Sequence, residues 1–225
     1  MHGKSYQANQ AKIKVKESAA PETAIELLKQ MQQSKFDATV ELHLHLGIDP
    51  KKGEQQVRST VVLPHSFGRS KKVIAFVEPA KEAEAKEAGA DIVASEETIN
   101  EIAKSGAINF EVAVATPAMM PKLAKIAKIL GPKGLMPNPK TETVSPQVKK
   151  MIEEIKRGKL NFKNDDTGNL HLAIGKISFD KEKLMANLNA VLQAIRKAKP
   201  ASSKGTYLKN AVLKTTMSPA VRIAV

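Results

Sequence analysis

The sequence predicts an α/β protein in which one discontinuous domain, built from both chain ends, carries a second domain inserted into it. Three observations predict this. Both end portions alternate apolar with polar residues, as strands with one buried face do. The middle instead alternates short apolar runs with helical segments, as a small parallel sheet does. At 225 residues the chain is also long for one core and comfortable for two, since a core serves about 100 to 200 residues.

Pro21 and Glu22 open a helix in which Ile25, Leu28 and Met31, with Leu27 beside them, recur at helical spacing over residues 21–33. Val40, Leu42, Leu44, Leu46 and Ile48 then share one face of a strand, while Thr39, Glu41, His43 and His45 share the other. A turn at residues 49–53 leads into residues 57–63, read as the returning antiparallel strand, which Pro64 ends. From Lys71 the pattern changes. Residues 73–77 form a continuous apolar run, followed by a helix over 80–88 that Gly89 closes. Residues 91–94 repeat the strand, Ser95 caps a helix over 96–104, and residues 110–115 give a third strand. A helix after Thr116, a loop over 131–143 and a helix over 146–157 complete the middle. Alternation then returns: Leu160 and Phe162 enter a turn at 164–168, and Leu170, Leu172 and Ile174 leave it, which reads as a hairpin. Ser178 or Asp180 caps a long helix with Leu184, Leu188, Val191, Leu192 and Ile195 on one face, and residues 207–216 form a last strand. The domains are thus 1–66 with 158–225, and 67–157, with crossings at 64–68 and 157–158.

Lys and Arg number 36 against 23 Asp and Glu, a formal charge of +13. The excess is local: from Gly158 onward there are 12 basic and 4 acidic residues. A concentrated positive field attracts polyanions by releasing their counterions, and nucleic acid is the commonest such partner. The chain has no cysteine, so no disulfide framework and no thiolate metal site or nucleophile can form. Residues 1–16 carry lysines without an apolar core, and no apolar run is long enough to span a bilayer. A cytoplasmic protein with no membrane partner is the expectation.

No motif supports catalysis. His43 and His45 stand about 7 Å apart on one strand face, but no third ligand lies at a recognisable spacing. A solvated or RNA-facing surface is the simpler reading. Gly131, Pro132, Lys133 and Gly134 fit neither a P-loop nor a dinucleotide fingerprint. A clamp of KH type needs a helix directly after it, and here a stiff run through Pro137 and Pro139 intervenes. Asp166, Thr167 and Gly168 spell the aspartic-protease triplet once, in a polar turn, whereas that chemistry needs two carboxylates sharing a proton. No G-x-S-x-G elbow is present. The chain is therefore read as a non-enzyme without metal or cofactor. Residues 214–222 place hydroxyls and a thioether at a strand end, groups that can line an RNA minor groove.

Residues 35–41 (KFDATVE), 46–50 (LGIDP), 63–65, 89–91, 129–140 (ILGPKGLMPNPK), 164–168 and 215–222 together resemble the bacterial large-subunit ribosomal protein one family, the mobile-stalk proteins beside the tRNA exit site. The resemblance covers essentially the whole chain. It implies a split α+β first domain and an inserted, Rossmann-like, three-layer α/β second domain. It also implies a structural role on the large-subunit rRNA, aid in releasing deacylated tRNA at the exit site, and repression of the protein's own operon mRNA. The free protein is expected to be a monomer. Carried over residue by residue, the RNA surface falls on Lys35, Phe36, Thr39, Glu41, Thr216 and Met217, and around the 164–168 turn on Lys163, Asp165, Thr167 and His171. Ser218 joins them where the family usually has glycine, and a side chain there would hinder close approach of RNA. Glu142 replaces a common glycine, Asn210 a small hydroxyl residue, and the leading basic segment is short.

Overall fold

A computed structural model describes residues 3–13, 18–31, 35–68 and 72–225. Along the chain run α1 (Lys4–Ala11), α2 (Pro21–Gln30), β1 (Thr39–Leu46), β2 (Arg58–Val62), β3 (Val73–Phe76), α3 (Glu82–Glu87), β4 (Ile92–Ala94) and α4 (Glu96–Ser105). They are followed by β5 (Val112–Ala115), α5 (Met120–Leu123), α6 (Ala127–Leu130), α7 (Val148–Lys156), β6 (Lys159–Lys163), β7 (Asn169–Lys176), α8 (Lys181–Lys197), β8 (Leu208–Thr215) and β9 (Val221–Arg222). They form two compact units, one of residues up to Phe67 with Leu160–Val225, the other of Gly68–Lys159.

In the first unit β1 lies between β7 and β8 in an antiparallel sheet of order β7-β1-β8-β9. Val40, Leu42, Leu44 and Leu46 are each no more than 2% exposed. They share one core with Ile25 and Leu28 of α2 and with Leu184, Leu188, Val191, Leu192 and Ile195 of α8. The alternation read from the sequence is the physical cause: period-two apolar residues meet period-3.6 helical stripes on one side of the sheet. Asn187, fully buried in α8, donates to the carbonyls of His65 and Ile174 (both 2.8 Å) and accepts from His65 N–H (3.0 Å). A buried amide with three partners costs little and fixes the chain near His65 against α8.

The second unit holds a parallel sheet of order β4-β3-β5. β3 is buried on both faces, which is why it reads as a continuous apolar run. Ile74 and Phe76 pack with Ile99, Ile102, Leu123, Ile126 and Leu130, while Val73, Ala75 and Val77 pack with Ala85, Val148, Ile152 and Ile155. Two apolar layers cover one sheet.

Several local expectations are corrected. β2 pairs with β6 in a separate two-stranded sheet and not with β1. Asn164 anchors that partner, accepting from Val57 N–H at 2.7 Å through its side chain and donating to Val57 O at 3.1 Å through its amide. β6 and β7 therefore flank a turn without forming a hairpin ladder. Ser95 and Asp180 occupy N-cap positions but make no capping hydrogen bond; Asp180 pairs with Lys183 instead (3.0 Å). The helix after Thr116 runs as alternating 3-10 and α turns, where Pro121 has no N–H to give. α1 and β9 are additional elements. α2 is helical to Gln30 with Met31 as its C-cap, and residues 32–33 of its expected continuation lie outside the described residues. In the 131–143 loop, Asn138 N–H donates to Thr143 Oγ1 (2.8 Å) and Asn138 O accepts from the hydroxyls of Thr141 (3.0 Å) and Thr143 (3.1 Å). Glu142 stands at φ 50°, its carboxylate 2.7 Å from buried Lys159 Nζ, which also meets Glu154 at 2.8 Å.

Candidate nucleic-acid interface

The face of the first sheet turned away from α2 and α8 carries the odd residues of β1. Register places Glu41 between Ala173 and Lys214, His43 between His171 and Val212, and His45 between Asn169 and Asn210. Arg222 of β9 lies opposite Val212 and extends the His43 row. The polar groups interlock. Thr39 Oγ1 accepts from Lys176 Nζ (2.8 Å), Glu41 lies 3.8 Å from Lys214 Nζ and 3.4 Å from His43 Nε2, and His45 Nδ1 meets Asn169 Oδ1 at 2.8 Å.

At the start of β1, Thr39 and Thr216 clasp the sheet end: Thr39 N–H donates to Thr216 Oγ1 and Thr216 N–H to Thr39 O, both 3.2 Å. Beside this clasp Phe36 is 52% and Met217 68% exposed, with Lys35 exposed as well. Ser218 is different. It is buried, its hydroxyl accepting from Thr215 N–H (2.9 Å) and donating to Pro219 O (3.0 Å). The side chain that replaces the family glycine folds inward and does not stand in front of the face.

At the other end of β1 the turn is organised by Asp165. Its carboxylate accepts from Asn169 N–H (2.6 Å), Thr167 N–H (2.9 Å), Thr167 Oγ1 (2.8 Å) and Asn169 Nδ2 (3.1 Å). These bonds, the Asn169 amide first, hold it far below the usual carboxylate range. Thr167 and Lys163 are exposed around it, and His171 Nε2 lies 3.6 Å from Asp165 Oδ2. The site residues therefore string along β1, with the Thr216 and Asp165 ends about 20 Å apart at a strand rise near 3.3 Å per residue. They form a tract and not a pocket.

The alternation of β1 already placed His43 and His45 on this face, and residues 214–222 were expected at an RNA-lining strand end; the register adds Asn169 and puts Lys214 and Arg222 on the same face. Alternation along β8 accounts for the side of Lys214, whereas that of Arg222 follows only from the β8–β9 register. Arg222 Nε donates to Asn210 Oδ1 at 2.8 Å, so the residue standing where the family has a small hydroxyl holds a guanidinium. Among the described residues neither Arg222 nor Lys209 makes an ion pair, and no helix is long and apolar enough to cross a membrane.

The model of the family described as Ribosomal protein L1p/L10e matches residues 28–219. With this fold and this extended polar face, the match defines a structural protein of the ribosomal class and not an enzyme. "Large ribosomal subunit protein uL1" of Persephonella marina is 52% identical over 207 residues, covering 91% of this chain and 86% of the relative. The protein of the same name from Solibacter usitatus is 47% identical over 221 residues, covering 98% of this chain and 93% of the relative. The chain belongs to the ribosomal protein L1p/L10e family.

Proposed function

We propose that the chain is a structural constituent of the large ribosomal subunit, in the cytoplasm, and that its first domain, residues 1–66 and 158–225, binds the rRNA of the mobile stalk. Residues 67–157 form the inserted domain; the protein aids release of deacylated tRNA at the exit site, and the free protein represses its own operon mRNA. One observation carries the reading. Phe36 and Met217 stand exposed at the sheet end held by Thr39 and Thr216, where apolar surface and short polar groups suit ribose and 2′-hydroxyls. Arg222 and Lys209 on the neighbouring strands, which make no ion pair among the described residues, suit phosphates.

The test is affinity for a stalk rRNA fragment as a function of KCl. Log affinity is expected to fall linearly with log salt, with a sequence-specific part persisting. Thr216→Val removes the hydroxyl and is expected to cost about 1 to 3 kcal/mol of binding at every salt concentration. Lys209→Ala is expected to cost less and to lose its effect as salt rises. Equal, salt-sensitive losses for both, or affinity no better than for an unrelated RNA hairpin, would remove the specific site.

A further inference from the structure

The closest contact between titratable side chains on the open face joins one assigned RNA residue to one that has no assigned role. His43 Nδ1 lies 2.7 Å from His171 Nδ1, with ring centroids 4.9 Å apart and planes at 61°. At that distance two bare nitrogens repel and two N–H groups collide, so one Nδ1 carries hydrogen and the other accepts it. Burial, and then the neighbouring His171, disfavour the cationic form of His43, whereas the His171 side chain is 56% exposed. His43 Nε2 lies 3.4 Å from the Glu41 carboxylate, which repels a bare nitrogen and attracts an N–H, so His43 Nδ1 is the acceptor and His171 Nδ1 the donor. The hydrogen of His43 then sits on Nε2, which is buried without a hydrogen-bond partner among the described residues and faces the Glu41 carboxylate. The other charged or titratable groups around the pair are His45 on β1, Lys214 on β8 beside Glu41, Arg222 on β9 in the same row, and Asp165 beside His171 Nε2.

With Nδ1–H turned inward, the outer nitrogen of His171 is the one available to a ligand. Neutral, it can only accept; protonated, it becomes a donor with positive charge, the form that suits a phosphate oxygen. We infer that His43 is a positioning residue for RNA on this face, fixing the ring of His171 so that its Nε2–H donates to a backbone phosphate. The inference rests on the RNA reading above. Binding then takes up one proton from solvent at His171, and His43 supports that charge through the shared hydrogen bond, with Glu41 behind it.

The experiment measures affinity for the stalk rRNA fragment at pH 8 and pH 6 at constant salt. The native protein is expected to bind about fivefold more tightly at pH 6, within the limit of about tenfold per pH unit set by uptake of one proton. His43→Leu keeps bulk on the strand but removes the acceptor, so binding at pH 6 weakens about fivefold and the pH dependence flattens. His43→Asn supplies an amide oxygen near the Nδ1 position and is expected to restore most of both. In a His171→Gln background the His43→Leu change is expected to add nothing further. A purely structural His43 would lower the melting temperature without altering the pH profile, so thermal melts accompany each variant. A native pH profile in folded His43→Leu, no recovery in folded His43→Asn, or flat native affinity between pH 6 and 8 would each overturn the inference while leaving RNA binding intact. Absence of native binding at both pH values would instead bring down the RNA reading itself, and this role with it.

Discussion

Thr216 spends its hydroxyl inside the protein as well as at the surface, because its Oγ1 already accepts from Thr39 N–H. The lone pair and hydrogen that remain are what an RNA can use. Tyr207 is the opposite case: its hydroxyl is buried without a partner among the described residues, and burial pushes the phenol up to about 12. Tyr207→Phe is therefore expected to stabilise the first unit by about 1 kcal/mol at pH 7, since an unsatisfied buried hydroxyl is removed. The pH dependence has a definite sign. The unfolded chain ionises near pH 10 and the folded one near 12, so native stability from this group is full below pH 10 and declines between 10 and 12. Urea melts at pH 7 and pH 11 should show the advantage of Tyr207→Phe widening at pH 11. A variant less stable than the native protein at pH 7 would mean that the hydroxyl has a partner after all. At this scale the sequence offered residue types but no partners. Ser218 could be read as an obstacle only because nothing in the sequence says that its hydroxyl turns back to Thr215.

Gly47 sets how closely β1 can approach the segment entering β8. Its N–H donates to Tyr207 O (2.7 Å), its carbonyl accepts from Ser203 Oγ (3.0 Å), and a Cβ built on it would lie 2.1 Å from Thr206 O. That neighbour is backbone and cannot rotate away. Gly47→Ala is expected to cost about 2 to 3 kcal/mol by overpacking, read as a lower urea midpoint, with rRNA affinity per folded molecule nearly unchanged. A stability loss below about 0.5 kcal/mol, the range of ordinary surface changes, would show that the approach is not tight. Elements with strong periodicity were legible: the burial of β1 alternates along its whole length, and the five apolar residues assigned to one face of α8 are all buried. What failed was pairing. A turn at residues 49–53 suggests a hairpin from proximity in sequence, yet β2 pairs with β6, because the Asn164 side chain ties Val57 to a segment 107 residues further on. β9, two residues long, is too short to carry a pattern.

For the whole molecule, each unit closes its own core, and both Phe67 and Leu160 pack on the core of the first. Replacing Gly68–Lys159 with a short flexible linker is therefore expected to leave a cooperatively folding first unit that binds the stalk rRNA within about tenfold of the full chain, a difference of about 1.4 kcal/mol. Chemical denaturation and RNA titration of that variant check both halves of the statement. A folded variant without affinity would mean that the inserted unit contributes to the RNA contact. The sequence by itself determined the α/β class, the parallel sheet in the middle, the antiparallel pattern at both ends and the apolar faces. These follow from side-chain periodicity, and periodicity is a local property of the chain. It also carried the family, through runs such as residues 129–140. Only the tertiary structure decided which strands are neighbours, that Ser218 folds inward, that His43 meets His171, and that Asn210 holds Arg222 on the open face. Each of these depends on register between strands, many of them a hundred residues or more apart in sequence, or on which way one side chain turns. Such choices are settled by hydrogen-bond satisfaction and close packing across the fold, and no single segment contains them.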